Sequence, residues 1–231
     1  MKRVYQSVSV EPVEGGFEIR LDGRPVRTPD RSALVVLSRA LADAIRTEWG
    51  AQETEVRPAT MPLTQLACTA IDRTGPQKAA FVDGVLAYAG TDLLCYRADR
   101  PPALVARQVE IWQPLLDWLA LRHDALLHVA AGIIAVEQPP ETLAALRKAV
   151  GALDAWQLAG VQNAVAVSGS LVVALALLEG EVDAAGAFAA AELDETFQIE
   201  RWGEDAEAAQ RRRALQEDLA ATERFLRLLK Q

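Results

Sequence analysis

Carboxylates are the residues here with the best claim to chemistry. Glu192, Asp194, Glu195, Glu200, Glu204, Asp205 and Glu207 crowd residues 192–207, around Gln198-Ile199-Glu200-Arg201-Trp202-Gly203-Glu204-Asp205. Paired acids can serve a hydrolase, but only when the fold holds them at a fixed separation across a cleft. A run of acids with a Trp beside it also suits a recognition surface, where the indole anchors a partner's apolar groups. A third reading is a solvated helix face, with Glu204 and Asp205 favoured by the dipole at the start of the last helix. Thr91-Asp92-Leu93-Leu94-Cys95-Tyr96-Arg97 offers a second mixed group, an acid, a Tyr and an Arg between two helices. It reads either as a binding loop or as a buried connection whose polar groups satisfy one another.

Other chemistries find little support. The histidines are His123 and His128, with no third nitrogen or sulfur ligand nearby in sequence, so no metal site is expected. Cys68 and Cys95 form neither a CxxC pair nor a disulfide framework and read as buried, reduced thiols. There is no GxxxxGK loop, no GxGxxG, no HExxH and no GxSxG, so neither a nucleotide cofactor nor nucleophilic catalysis is indicated. No cofactor is expected.

The elements that must position these residues change character along the chain. Phe17, Ile19 and Leu21 alternate with Glu18 and Arg20, the period of a half-buried strand. Asp22-Gly23 is a two-residue hairpin turn, because both positions tolerate positive φ. Ser38 can cap a helix carrying Leu41, Ala44, Ile45 and Trp49 on one face. After Thr74-Gly75-Pro76 the pattern is mostly helical, with an apolar stripe of Val105, Val109, Trp112, Leu116 and Leu119. Leu126-Leu127 and residues 133–136 suggest a small hairpin around Gly132. Asp154 with Gln157 resembles a capping box. Ser168-Gly169-Ser170 separates two apolar helices, and Asp183 caps one running through the 195–202 region. Leu215, Leu219, Thr222, Leu226 and Leu229 share a stripe of the last helix. Trp49, Trp112, Trp118 and Trp156 fall in apolar patterns and read as core. The expected class is α+β, an antiparallel-sheet domain over residues 1–75 and a mainly helical domain over 76–231.

Among 231 residues, 51% are apolar and 24% charged, enough to bury a substantial core. The net charge of −8 disfavours nucleic acid and anionic membrane as partners, since both require clustered Lys and Arg. The longest apolar run, Leu171 to Leu178, is too short to cross a bilayer. The start Met1-Lys2-Arg3-Val4-Tyr5 has no signal core, and a cytoplasmic location is expected, or the mitochondrial matrix for a processed organellar form.

Several stretches in series resemble one family. They are Gly15-Gly16-Phe17, Leu21-Asp22-Gly23-Arg24-Pro25-Val26-Arg27-Thr28-Pro29, Ala42 to Trp49, Pro62-Leu63-Thr64, Ala70-Ile71-Asp72, Gly90 to Arg97 and Gln198 to Asp205. Nearly the whole chain is similar to the ATP synthase assembly chaperones that bind the alpha subunit, found in mitochondria and alpha-proteobacteria. The resemblance implies a sheet domain followed by a helical domain, no nucleotide hydrolysis, and a partner that is the free alpha subunit, kept soluble until it pairs with beta. It also points to Glu200, Trp202, Glu204, Asp205 and Glu207 as partner-binding positions, in a protein expected to be a monomer. Trp49, Asp92 and Tyr96 match motifs of the family too and are read as structural. A hydrolase or isomerase using Asp92 or Glu200 is the rival expectation.

Overall fold

A computed structural model describes residues 2–132 and 136–231. The first half-turn of the chain's logic is local. Strand β1 (Val8–Val13) pairs antiparallel with β2 (Gly16–Leu21), bringing Val10 opposite Ile19. β2 then reverses into β3 (Arg24–Pro25) through Asp22 at φ 47° and Gly23 at φ 77°, the paired left-handed geometry that Asp-Gly tolerates. A fourth strand, β4 (Val35–Val36), also pairs with β2, placing Phe17 opposite Val36. Ile19 is fully buried. Glu18, on the expected solvent face, is covered as well and is held by Arg20 at 2.9 Å.

Helix α1 (Arg39–Gly50) packs on β1 and β2 with Leu41, Ala42, Ala44, Ile45 and Trp49 buried. Ser38 caps it, accepting from Leu41 N at 3.0 Å. Helix α2 (Pro62–Thr69) opens on its proline, and its free N–H groups at Leu63 and Thr64 donate to the Glu48 carboxylate at 2.8 Å each. The chain then runs through a π turn at Ala70–Thr74 into α3 (Lys78–Ala87).

Next come a short strand β5 (Tyr96–Arg97) and the long helix α4 (Pro102–His123), which continues through Pro114. Trp112, Leu116 and Leu119 of its expected stripe are buried, but Val109 is half exposed and Gln108 is buried in its place. Strand β6 (Ala130–Ala131) pairs in parallel with β5. The hairpin expected around Gly132 is not seen in the described residues: its first arm, Leu126-Leu127, lies in no strand, β6 pairs with β5 instead, and residues 133–135 of its second arm lie outside the described residues. Helices α5 (Pro140–Gly151), α6 (Ala155–Ser168), α7 (Leu171–Glu179), α8 (Ala184–Ala191), α9 (Leu193–Trp202) and α10 (Ala206–Leu228) complete the chain. The Asp154–Gln157 box is reciprocal, at 3.1 and 2.8 Å. The single helix expected after Asp183 is two, because the chain leaves helical geometry at Glu192.

The chain divides into two units. The first comprises Met1–Lys78, Asp154–Gly160 and Ala221–Gln231; the second comprises Ala79–Leu153 and Val161–Ala220. Residues 154–160 and 221–231 thus fall in the first unit although they follow residue 75 in the chain. Trp156 stacks on Phe225 at 6.2 Å, Thr74 Oγ1 donates to Ala155 O at 2.7 Å, and Ser38 Oγ donates to Leu228 O at 2.6 Å. In the second unit α7 is buried from Leu171 to Leu178, and the Trp112 indole donates to Ala190 O at 2.8 Å.

Candidate partner-binding surface

The acidic segment folds into the end of α9, a tight turn and the start of α10. Gly203 sits at φ 85°, a conformation that lets the chain leave α9 at Trp202 and reverse into α10. Asp205 then caps α10, its Oδ1 accepting from Ala208 N at 2.8 Å. Glu207 stands in the first turn of that helix, where the helix dipole favours a negative charge.

Two arginines from elsewhere in the unit clamp the turn. Arg107 of α4 grips Glu200 with both terminal nitrogens, at 3.0 and 2.9 Å. The hydrogen bonds from Arg107 hold the Glu200 carboxyl below the usual carboxylate range. Arg212 of α10 reaches Glu204 at 3.2 Å and Glu192 at 2.9 Å, and donates to Thr196 Oγ1 at 2.9 Å. The flat guanidinium of Arg212 also lies over the Phe188 ring. Neither arginine could be named from the sequence, since Arg107 lies 93 residues from Glu200 and the fold selects Arg212 among neighbouring arginines to meet Glu204; the clustering of acids was the available signal.

The five residues singled out on sequence therefore come together but take different parts. Asp205 is a helix cap. Glu204 is a brace, ion-paired to an arginine whose side chain is 13% exposed. Glu200 is ion-paired at the surface. Trp202 is 77% exposed, and its side chain and that of Glu207 have no hydrogen bond or ion pair among the described residues. An exposed indole on a turn clamped from both sides presents a large rigid apolar surface at little entropic cost.

The Thr91–Arg97 stretch contains two buried polar side chains, Asp92 and Arg97. Asp92 is wholly buried, and its carboxylate accepts from Ser170 Oγ at 2.7 Å and from the Leu94 and Val172 N–H groups at 3.1 Å. Arg97, five residues further on, is also buried and donates to Leu94 O and Gln108 O, each at 2.9 Å. Both groups are thus buried and hydrogen-bonded, to backbone groups and to Ser170 rather than to each other. His123 ends α4 with Nε2 3.0 Å from Glu179, and its ring meets Trp118 edge-on. No group of three His, Cys, Asp or Glu among the described residues could hold a metal ion. No described helix is long and apolar enough to cross a membrane.

The family model described as ATP12 chaperone protein matches residues 2–120. The crystal structure of Atp12 from Paracoccus denitrificans superposes with a TM-score of 0.93 at 42% identity, over 99% of this chain and 98% of that one. This chain belongs to the ATP12 chaperone family. A point mutant of the Paracoccus protein matches equally well, with a TM-score of 0.93 at 41% identity over 99% and 97% of the two chains. Among curated ATP12 relatives, protein atp12, mitochondrial, of Schizosaccharomyces pombe is 29% identical over 214 residues, 87% of this chain and 74% of its own. Protein ATP12, mitochondrial, of Saccharomyces cerevisiae is 25% identical over 251 residues, covering 88% and 76%. These matches agree with the resemblance to ATP synthase assembly chaperones, and with an antiparallel sheet followed by a mostly helical region.

Proposed function

We propose that this ATP12 family chaperone binds the free alpha subunit of the F-type ATP synthase and keeps it from aggregating until beta takes its place. The observation that carries the reading is the exposed Trp202, held on a turn clamped by Arg107 and Arg212 beside surface carboxylates. An unassembled subunit exposes surface meant for its neighbour, and such patches aggregate. A protein that covers the patch lowers the concentration of the sticky form by mass action. Release needs no energy source if the alpha–beta contact is tighter. We place this work in the cytoplasm of a bacterial cell, or in the matrix for an organellar form, and assign the contact to a single copy of the chain.

Within the surface, Trp202 and Glu207 meet the partner directly, Glu200 adds a surface charge, and Glu204 and Asp205 hold the turn in shape. No bond-making is invoked. Asp92 and Glu200, the carboxylates an enzyme would recruit, are respectively enclosed by backbone and hydroxyl donors and paired to Arg107.

The test uses purified alpha subunit and two readouts, complex formation by titration and aggregation by light scattering. Trp202→Ala should weaken capture about thirtyfold, the loss of one hot-spot contact, with the melting temperature unchanged. Glu204→Lys should lower both capture and melting temperature, because it places a cation against Arg212. Full protection of alpha by Trp202→Ala would remove the surface from the interface, and no capture by the unaltered protein would sink the reading itself.

A further inference from the structure

The first unit carries a cleft of about 620 Å³ that the surface at Trp202 does not use. Its apolar walls are Trp49, Val56, Pro58 and Met61, and its charged rim is formed by Arg27, Asp30, Asp72 and Arg73. Four of the stretches that carry the family resemblance converge on it. Arg27-Thr28-Pro29 arrives from the hairpin signature, Trp49 from the end of α1, Thr64 from the start of α2 and Asp72 from the π turn. Nothing in the turn between α9 and α10 accounts for these residues.

The walls are built in advance. One oxygen of Asp72 accepts from Thr28 Oγ1 at 2.7 Å and the other from Asp30 N at 3.1 Å, tying the loop after β3 to the π turn. Glu48 fixes the opening turn of α2 through Leu63 N, Thr64 N and Thr64 Oγ1. Trp49 is nine-tenths buried, yet its indole N–H has no acceptor among the described residues. A buried donor left unpaired is costly, and a peptide carbonyl brought against this wall by a small turn of the indole would satisfy it. On the rim, Arg27 and Arg73 are exposed and form no ion pair among the described residues. Asp72 keeps its charge but is held in the wall by Thr28 and the Asp30 N–H, which leaves Arg27 and Arg73 as the rim cations available to an incoming carboxylate.

We propose that this cleft is a second client-binding site, seating an apolar side chain of an extended polypeptide segment with a neighbouring acidic residue against Arg27 or Arg73. The volume accommodates several residues of an extended segment. A polypeptide supplies all three required features at once: an apolar group for the walls, a backbone carbonyl for the indole and a carboxylate for the rim. The proposal rests on the chaperone reading above and adds a contact in the first unit to one in the second.

Two variants of the full chain test it with purified alpha subunit. A photo-crosslinking p-benzoylphenylalanine replaces the exposed rim residue Asp30 in one preparation and Trp202 in another. Crosslinks to alpha are expected from both. Separately, Gln65→Trp fills the mouth of the cleft, and the pair Arg27→Glu with Arg73→Glu inverts the rim. Each should weaken capture of alpha about tenfold without lowering the melting temperature, as expected for one lost contact group. As an independent probe, an acetylated peptide alternating Glu and Leu should bind the unaltered protein at least about tenfold more tightly than its Lys and Leu counterpart, and Gln65→Trp should abolish that binding. Crosslinking from position 202 alone, with capture intact in Gln65→Trp, overturns the cleft site while leaving the proposed function standing. Equal binding of the two peptides overturns the assignment of an acidic segment. Failure of the unaltered protein to capture alpha at all brings down the proposed function, and this site with it.

Discussion

Asp92 offers the sharpest check on the energetics of the second unit. Its carboxylate is 0% exposed and ties the turn at Leu93–Cys95 to the first turn of α7 through Leu94 N, Ser170 Oγ and Val172 N. Two effects oppose each other there. The donors favour the charged form, and burial penalises it. Burial wins and pushes the Asp92 carboxyl up from 3.8 to about 6. A group whose folded pKa is raised binds its proton more tightly in the native state than in the unfolded chain. Its contribution is therefore fully present below pH 3.8 and lost as pH rises through about 6. A displacement of about two pKa units corresponds to about 3 kcal/mol. Asp92→Asn cannot ionise, so it lacks this dependence. Any constant cost from turning an amide toward backbone N–H groups cancels when only the change with pH is followed. Unfolding free energies of both proteins are measured by urea titration from about pH 4 to about pH 8. The unaltered protein should lose about 3 kcal/mol relative to Asp92→Asn over that range, with the change centred between the two pKa values. A flat difference, showing that the donors balance burial, or one that rises with pH, showing that they outweigh it, would refute the reasoning.

Two other perturbations probe packing and reactivity. At Gly160 an added Cβ would sit 2.5 Å from Leu226 Cδ2 and 2.9 Å from its Cγ. Gly160→Ala should thus cost about 1–3 kcal/mol in urea unfolding, most of it recovered by adding Leu226→Ala; an unchanged midpoint would deny the close contact. Burial pushes the Cys68 thiol up to about 11 and the Cys95 thiol up to about 12. Both should resist iodoacetamide at neutral pH in the folded protein and react on unfolding, with half-exposed Cys68 leading as pH is raised; fast native labelling of Cys95 would contradict its burial.

The sequence by itself determined the features that depend on a few adjacent residues. Asp22-Gly23 makes its hairpin because both residues accept positive φ, and Ser38 and the Asp154–Gln157 pair cap their helices because those contacts close over three residues. The acidic cluster and Trp202 were legible for the same reason, and so was the helical character beyond residue 78. Helical periodicity shows which face of a helix is apolar but not what will meet it. Only the tertiary structure decided that Trp156 and Phe225 return to the first unit, and that Val109 stays exposed while Gln108 is buried. It also decided that Arg107 and Arg212 pair with Glu200 and Glu204, leaving the side chains of Trp202 and Glu207 without a hydrogen bond or ion pair among the described residues. An ion pair forms wherever the fold brings two charges within reach, and that distance is set by the packing of every element between them.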